Sequence, residues 1–365
     1  MKKVKLLFIV TRCSKSGPIN VLRGIIENID KTEFEIYLIT TAPEDKTKSV
    51  LSWFEEKMDF VDYIEITKRE ALIGRLDKLK ETIKELSPDV IHSTGIVPDI
   101  AVNRIDRHHQ IIIIHSNVWM DNPQKYGNVV GRVMAHANYH LFRQANTAVA
   151  CSESLSKIYA KKGLCVPFVR NGVNVPEYEK VSKEQYRKQL NLPLDKTIYV
   201  CAGSFVPIKN LIFLVETFRD CMKDRILLLL GDGELFDDVK ASAGNNIVLA
   251  GRQKDVIPYL RASDYYISAS LQEGMPMAVL EGLSCGLPVV LSNILQHEEI
   301  LNALYHIGEE FENNIPEDLI RNCDKLEQED YQKLSENAYR VVSECFNAKK
   351  MSKQYQDYYH KIAGF

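Results

Sequence analysis

The densest concentration of chemically useful residues is EGMPMAVLEGLSCGLPVV, residues 273–290. It places Glu273 on a loop behind an apolar run, follows it with Gly274, Met275 and Pro276, and opens a helix near Met277. Glycine lets a ligand approach the backbone closely, and proline pre-sets a first helical turn. The free amides of that turn, around Met277, Ala278 and Val279, suit an anion, aided by the helix dipole. Glu281 follows about one turn later, where a carboxylate can accept two hydrogen bonds from a vicinal diol such as ribose. The same spacing also fits a plain strand–loop–helix with surface glutamates.

Such residues work only if a scaffold delivers them to one edge. In the first half, KVKLLFIV (3–10), EIYLIT (35–40), DVIHST (89–94), QIIIIHS (110–116) and NTAVACS (146–152) are short runs rich in β-branched residues. They alternate with helical patterns at 19–29 and 71–86. Continuous apolar runs suit strands buried on both faces of a parallel sheet, and the alternation indicates a doubly wound α/β domain. The pattern restarts after Pro167–Pro176 with runs at 197–204, 225–233, 246–252, 264–270 and 287–293. The polar segment 177–188 reads as a linker or inserted helix, and from Glu329 onward the chain reads as helix. In open α/β sheets ligands bind beyond the carboxyl ends of the strands.

Composition narrows the class. The chain has 365 residues, 45% hydrophobic and 26% charged, the balance of an ordinary globular protein of two domains. No run approaches 18 consecutive apolar residues, and Val4–Val10 is too short and too charged for a signal peptide. The eight cysteines include no C-x-x-C pair, which fits a reducing, cytoplasmic setting. A net charge of −3 argues against nucleic acid as a partner, although residues 1–172 are net positive and the remainder net negative.

Glu273, seven residues, Glu281, then a small-residue helix and Gly-Leu-Pro-Val resembles the donor-binding motif of family 4 glycosyltransferases. AGSFVPIKN (202–210), VRNGVN (169–174), LLGDGE (229–234) and LAGRQKDVIPYLRASDYYISAS (249–270) resemble further segments in the family's order. In the first half the resemblance is looser: the loop near Gly17, His115, and CSES (151–154). It implies a GT-B fold: two Rossmann-like domains, 1–172 and 173–345, facing across a cleft, with helix 346–365 returning to the first. It also implies a retaining enzyme moving a sugar from a nucleotide sugar, UDP being the expected nucleotide, to a saccharide or lipid-linked acceptor in bacterial surface polysaccharide assembly.

By this resemblance Gly203, Ser204 and Lys209 surround the donor diphosphate, with Gly17 reaching it from the other domain. Glu281 takes the ribose, and Arg252 lies near the base. Glu273 and the backbone of Gly274 to Met277 hold the transferred sugar, and His115 faces sugar and acceptor. His115, Lys209 and Glu273 are the expected catalytic residues. The sequence departs from the family at Ser204, where an arginine is usual, and at Pro18, where a second glycine is usual; Arg12 or Lys15 are candidate replacements for the lost cation. Alternatives within the fold are a sugar-nucleotide epimerase and a catalytically weak donor-binding subunit.

No cofactor or metal is expected: no D-x-D triplet occurs, and HANYH (136–140) lacks the glutamate of H-E-x-x-H. His92 reads either as lining the cleft or as a core histidine, and GDG (231–233) as a tight turn. The basic segment 66–86, with Arg69, Arg75, Lys78, Lys80 and Lys84, fits a solvated helix face or peripheral contact with the inner membrane.

Overall fold

The computed structural model describes residues 3–45, 47, 49–176 and 181–364. It divides into two compact units, one running to Asn171 and resuming at Ala348, the other spanning Gly172–Asn347.

The first unit runs β1 (Val4–Val10), α1 (Gly17–Glu27), β2 (Phe34–Thr40), α2 (Leu51–Lys57), β3 (Phe60–Tyr63), α3 (Lys68–Ile73), α4 (Asp77–Leu86), β4 (Val90–Thr94), α5 (Ile96–Asp106), β5 (Gln110–Ile114), α6 (Val118–Tyr126), α7 (Asn128–Gln144), β6 (Thr147–Ala150) and α8 (Glu153–Ala160). Its six strands are parallel in the order β3-β2-β1-β4-β5-β6. Strands β1, β2, β4 and β5 are buried along nearly their whole length, as helices on both faces require. The order reverses between β1 and β4, where Phe8 aligns with Leu38 on one side and His92 on the other.

The second unit repeats the plan with α9 (Lys183–Gln189), β7 (Thr197–Ala202), α10 (Leu211–Cys221), β8 (Arg225–Leu230), α11 (Phe236–Ser242), β9 (Ile247–Gly251), α12 (Ile257–Ala262), β10 (Tyr265–Ser268), α13 (Met277–Ser284), β11 (Val289–Ser292), α14 (Leu295–Leu301), β12 (Gly308–Phe311), α15 (Pro316–Glu327) and α16 (Tyr331–Cys345). Its sheet has the order β12-β11-β10-β7-β8-β9, again parallel. The core on one face is built from residues such as Phe205, Leu214, Phe218, Leu229 and Ile267.

The last helix, α17 (Ala348–Ala363), belongs to the first unit. Ser352 Oγ donates to the Ile25 carbonyl at 2.7 Å and Gln356 Nε2 to that of Asn28 at 3.2 Å, tying it to α1. Tyr355 and Tyr359 are fully buried; Tyr359 packs edge-on against Phe8 and Phe34 and its hydroxyl meets His92 Nδ1 at 2.8 Å. His92 is therefore a core residue held by the last helix. Tyr358 is half-buried, and Phe365 lies outside the described residues, as does 177–180 of the linker segment.

Three elements differ from the sequence reading. The helix expected over 71–86 is broken: Gly74, at φ 78°, ends α3, and α4 begins three residues later. Strands β3 and β12 were not legible. Both are four-residue edge strands, and FVDY and GEEF carry too little buried apolar surface to announce themselves.

Candidate active site

The carboxyl ends of β7 and β10 and the start of α13 enclose a pocket in the second unit. Gly203, Ser204, Lys209, Glu273, Pro276, Met277, Ala278 and Val279 line it, with Tyr266, Ser268 and Ser270. Eight of the residues singled out from the sequence thus meet in one place. Gly274 and Met275 lie buried in the loop between them.

At its centre Lys209 Nζ donates to Glu273 Oε1. The same oxygen accepts from Ser270 Oγ at 2.7 Å, and Ser270 Oγ in turn meets Ser268 Oγ at 3.1 Å. Burial alone would push the Glu273 carboxyl up. The Lys209 ammonium and the hydrogen bonds from Lys209 and Ser270 outweigh burial and hold it below the ordinary carboxylate value. Glu273 is therefore a fixed, ionised acceptor at neutral pH.

Local backbone chemistry explains why Lys209 points there. The turn after β7 folds onto the loop after β8: the Gly203 amide donates to the Leu230 carbonyl at 2.9 Å and the Phe205 amide to that of Asp232 at 3.0 Å. A β-carbon on Gly231 (φ 146°) would sit 1.8 Å from the Gly203 oxygen. The GDG sequence is thus a backbone-on-backbone support for the Gly203 turn. A single 3₁₀ turn, Pro207–Lys209, ends at Asn210 in the left-handed region (φ 52°) and launches α10.

Pro276 sits at the N-terminus of α13. The Val279 and Leu280 amides both turn back to the Pro276 carbonyl; those of Met277 and Ala278, at the helix start, have no intrahelical acceptor available. A phosphate held there would lie near the Lys209 ammonium. The arrangement can hold an anion on one side and, through Glu273, accept hydroxyl hydrogen bonds on the other.

Three residues were not anticipated. Ser270 orients Glu273 directly. Ser292 Oγ donates to the Ser270 carbonyl at 2.6 Å, and buried His297 donates from Nδ1 to the Ser292 carbonyl at 2.9 Å. Burial pulls the His297 pKa down to about 4, so it supports the loop as a neutral imidazole. Serines at a strand end carry little signal in sequence, and His297 lies 24 residues from Glu273.

The other expected residues lie elsewhere. Glu281 is half-buried on α13 and Arg252 is exposed just beyond β9; neither lines the pocket. Gly17 and His115 belong to the first unit. Gly17 is the exposed first residue of α1, whose Ser16 cap makes no side-chain bond. His115 directly follows β5; burial pulls its pKa down to about 4, and its Nε2 has no hydrogen-bond partner. Arg12 is exposed. All eight cysteines are free thiols, and His136 and His140 are exposed on α7.

Residues 182–341, which contain this pocket, match the family described as glycosyl transferases group 1. The second unit is a group 1 glycosyl transferase domain. The chain is 26% identical over 242 residues to an Escherichia coli UDP-Gal:alpha-D-GlcNAc-diphosphoundecaprenol alpha-1,3-galactosyltransferase, a match covering 60% of this chain and 61% of that protein. The match to an uncharacterised glycosyltransferase of Methanocaldococcus jannaschii covers 59% of that protein, so with these two the chain shares about three fifths of their length. The Escherichia coli O-antigen biosynthesis glycosyltransferase WclY is 23% identical over 98% of this chain and 99% of its own. Among solved structures, Anabaena HepE in complex with UDP-glucose superposes with a TM-score of 0.80 at 17% identity, covering 98% of this chain and 99% of that one. A Rickettsia africae glycosyltransferase gives 0.77 at 18% identity, covering 99% of both chains. The chain thus has the fold of these glycosyltransferases, the GT-B fold.

Proposed function

We propose that the chain transfers a sugar, with retention of anomeric configuration, from a UDP-linked donor to a saccharide or lipid-linked acceptor. The observation that carries this reading is the Lys209–Glu273 pair beside the N-terminus of α13. One pocket offers a cation and helix amides to a diphosphate and, a few ångströms away, a fixed carboxylate to sugar hydroxyls. Supporting it are the names of the relatives, which include a UDP-galactose-dependent transferase and an alpha-monoglucosyldiacylglycerol synthase.

In this reading Lys209 and the Met277 and Ala278 amides receive the negative charge that develops on the departing diphosphate. Glu281 takes the ribose, and Arg252 lies toward the base. Glu273 is ill placed to be a nucleophile, because its carboxylate is already engaged by Lys209 and Ser270. Retention then follows from attack on the face the leaving group departs from. The acceptor oxygen bonds to the anomeric carbon, the carbon–phosphate oxygen bond breaks, and the departing oxygen takes the acceptor's proton. Gly17 and the unpartnered His115 Nε2 are the contributions proposed for the first unit. With Lys209 and the helix meeting the charge, no metal is required. No described helix is long and apolar enough to cross a membrane; a cytoplasmic enzyme is proposed.

Calorimetric titration with UDP-glucose, UDP-galactose and UDP-N-acetylglucosamine, followed by NMR of the product linkage, tests the reading. Binding of one donor and an α-linked product support it. Donor binding with no transfer to any acceptor would instead indicate a binding subunit, and acceptor-free conversion of one nucleotide sugar to another an epimerase.

A further inference from the structure

We propose that His306, Glu309 and Glu329 form a binding site for a divalent zinc-class cation on the second unit, separate from the donor pocket. The three side chains offer one imidazole nitrogen and two carboxylate oxygens, all within 4.8 Å of one another. His306 Nε2 lies 2.9 Å from Glu329 Oε2 and 3.7 Å from Glu309 Oε1. Ligand atoms bound to a tetrahedral zinc stand roughly 3.3–3.6 Å apart. The two distances straddle that range, and His306 is exposed, so a small turn of its ring evens them out.

Glu309 marks the cluster as more than a surface ion pair. It is only 8% exposed, and its Oε1, the atom nearest the imidazole, has no hydrogen-bond partner. Lys325 Nζ comes within 2.7 Å of that oxygen, but at an angle that makes no hydrogen bond. A buried acceptor left without a partner is costly, and a bound cation removes that cost. Lys325 is exposed on α15, so its ammonium is free to swing into solvent when a doubly charged ion takes its place.

Each ligand is held by a different element. The His306 carbonyl accepts from Asn337 Nδ2 of α16 at 2.9 Å. Glu309 is the second residue of β12, and β12 starts at Gly308, where a β-carbon would sit 1.8 Å from the Val289 carbonyl, so the strand lies tight against β11. Glu329 occupies the corner between α15 and α16, its amide bonded to the Leu326 carbonyl at 3.2 Å and the next residue, Asp330, capping α16. The donor atoms are thus brought together by the fold before any ion arrives.

The donor set selects the ion. Calcium and magnesium favour shells of oxygen, whereas an imidazole beside carboxylates suits zinc and its first-row neighbours. Three protein ligands leave a fourth position for water. The site is at the amino end of β12, and the donor pocket is at the carboxyl ends of β7 and β10 in the same parallel sheet. The ion therefore has no part in sugar transfer. It fastens the start of an edge strand, paired only with β11, to the α15–α16 corner.

The test is calorimetric titration of the chelator-treated full chain with zinc chloride and, in parallel, magnesium chloride. Zinc should bind at one site, and magnesium far more weakly. His306→Ala and Glu329→Gln should each weaken zinc binding by at least the roughly ten- to hundredfold that loss of an outer-shell partner costs a metal site. Lys325→Gln should tighten it, because a competing ammonium is gone. His136→Ala with His140→Ala, which removes the exposed histidine pair of α7, should bind as wild type. Zinc should raise the thermal midpoint of the wild-type chain and leave that of His306→Ala in place. Cobalt(II) in place of zinc should give visible d–d bands without a thiolate charge-transfer band, which excludes exposed Cys165 and Cys221 as ligands. Absence of zinc binding, binding that survives His306→Ala and Glu329→Gln, or a Lys325→Gln variant that binds zinc more weakly than wild type would overturn the proposal. UDP affinity should be the same in all these variants, so the result stands apart from the fate of the transferase reading.

Discussion

In the proposed reaction Lys209 serves two negative groups in turn. Without donor it neutralises Glu273; with donor its ammonium must also face a diphosphate. Lys209→Ala therefore removes leaving-group stabilisation and strands a buried carboxylate. The expected loss in kcat/KM is roughly 2.7–4 kcal/mol, that of a main oxyanion donor. A second consequence is diagnostic. With the ammonium gone, burial is opposed by the Ser270 hydrogen bond and, to a smaller extent, by His297, and the Glu273 carboxyl rises. The acid limb of the variant's residual rate should move to higher pH, whereas Lys209→Arg should keep it in place. A pH profile with an unshifted acid limb would remove Glu273 from the mechanism. Ser204→Arg asks a different question. If the pocket is short of a cation, the substitution should tighten UDP binding; if Arg12 or Lys15 supplies the charge, crowding should weaken it. Unchanged UDP affinity in both Lys209→Ala and Ser204→Arg would place the phosphates elsewhere. Glu281 lies outside the pocket lining on the same helix, and Glu281→Ala should weaken UDP binding roughly ten- to hundredfold by losing charge-assisted bonds to ribose. Normal affinity by calorimetry would count against that role.

At the scale of elements, the loop after β8 shows how support can hide in a sequence. GDG reads there as a tight turn. The structure adds that Gly231 clears the carbonyl of Gly203, with 1.8 Å left for any β-carbon. Gly231→Ala must push the two loops apart and tilt the Gly203 turn that leads to Lys209. The expected result is a stability loss of at least about 1–3 kcal/mol, as for overpacking, with UDP affinity falling alongside. A variant as stable as wild type with unchanged UDP binding would show that the loops slide freely. What the sequence revealed follows the same logic. The long apolar strands β1, β5, β7 and β8 were legible because burial on both faces demands unbroken hydrophobicity, and the Glu273–Glu281 helix because its loop and turn chemistry is local. The edge strands β3 and β12 were not, since FVDY and GEEF break the apolar run with acidic residues, whereas the edge strands β6 and β9 keep one in TAVA and IVLAG. Ser270, Ser292 and His297 were missed because their meaning lies in contacts between distant loops, which no spacing along the chain records.

At the scale of the whole molecule, buried titratable groups set how stability responds to pH. Burial pulls His92 down to about 3, with a further push from the neighbouring His115, and pulls His115 and His297 down to about 4. Each is neutral when folded but titrates near 6.5 when unfolded. Between those values the unfolded chain holds more protons, so stability is full above about pH 6.5 and declines as pH falls toward 4. Asp99 in the first unit has the opposite sign. Burial raises its carboxyl to about 7. Its contribution is full below about pH 3.8 and is lost as pH rises through 7. In the first unit Asp99 thus offsets part of the effect of its two histidines, and in the second unit His297 acts beside Glu310, whose carboxyl burial also raises. Asp99→Asn isolates the sign. It keeps the shape and removes the charge, so it should raise the first unit's thermal midpoint at about pH 8, where wild-type Asp99 must ionise, and change it far less at about pH 4, where the carboxyl is largely protonated in both folded and unfolded chain. Differential scanning calorimetry across this range checks both statements. An Asp99→Asn midpoint displaced equally at the two pH values would mean that the carboxyl does not titrate between them, and that the first unit's response to acid comes from its histidines alone.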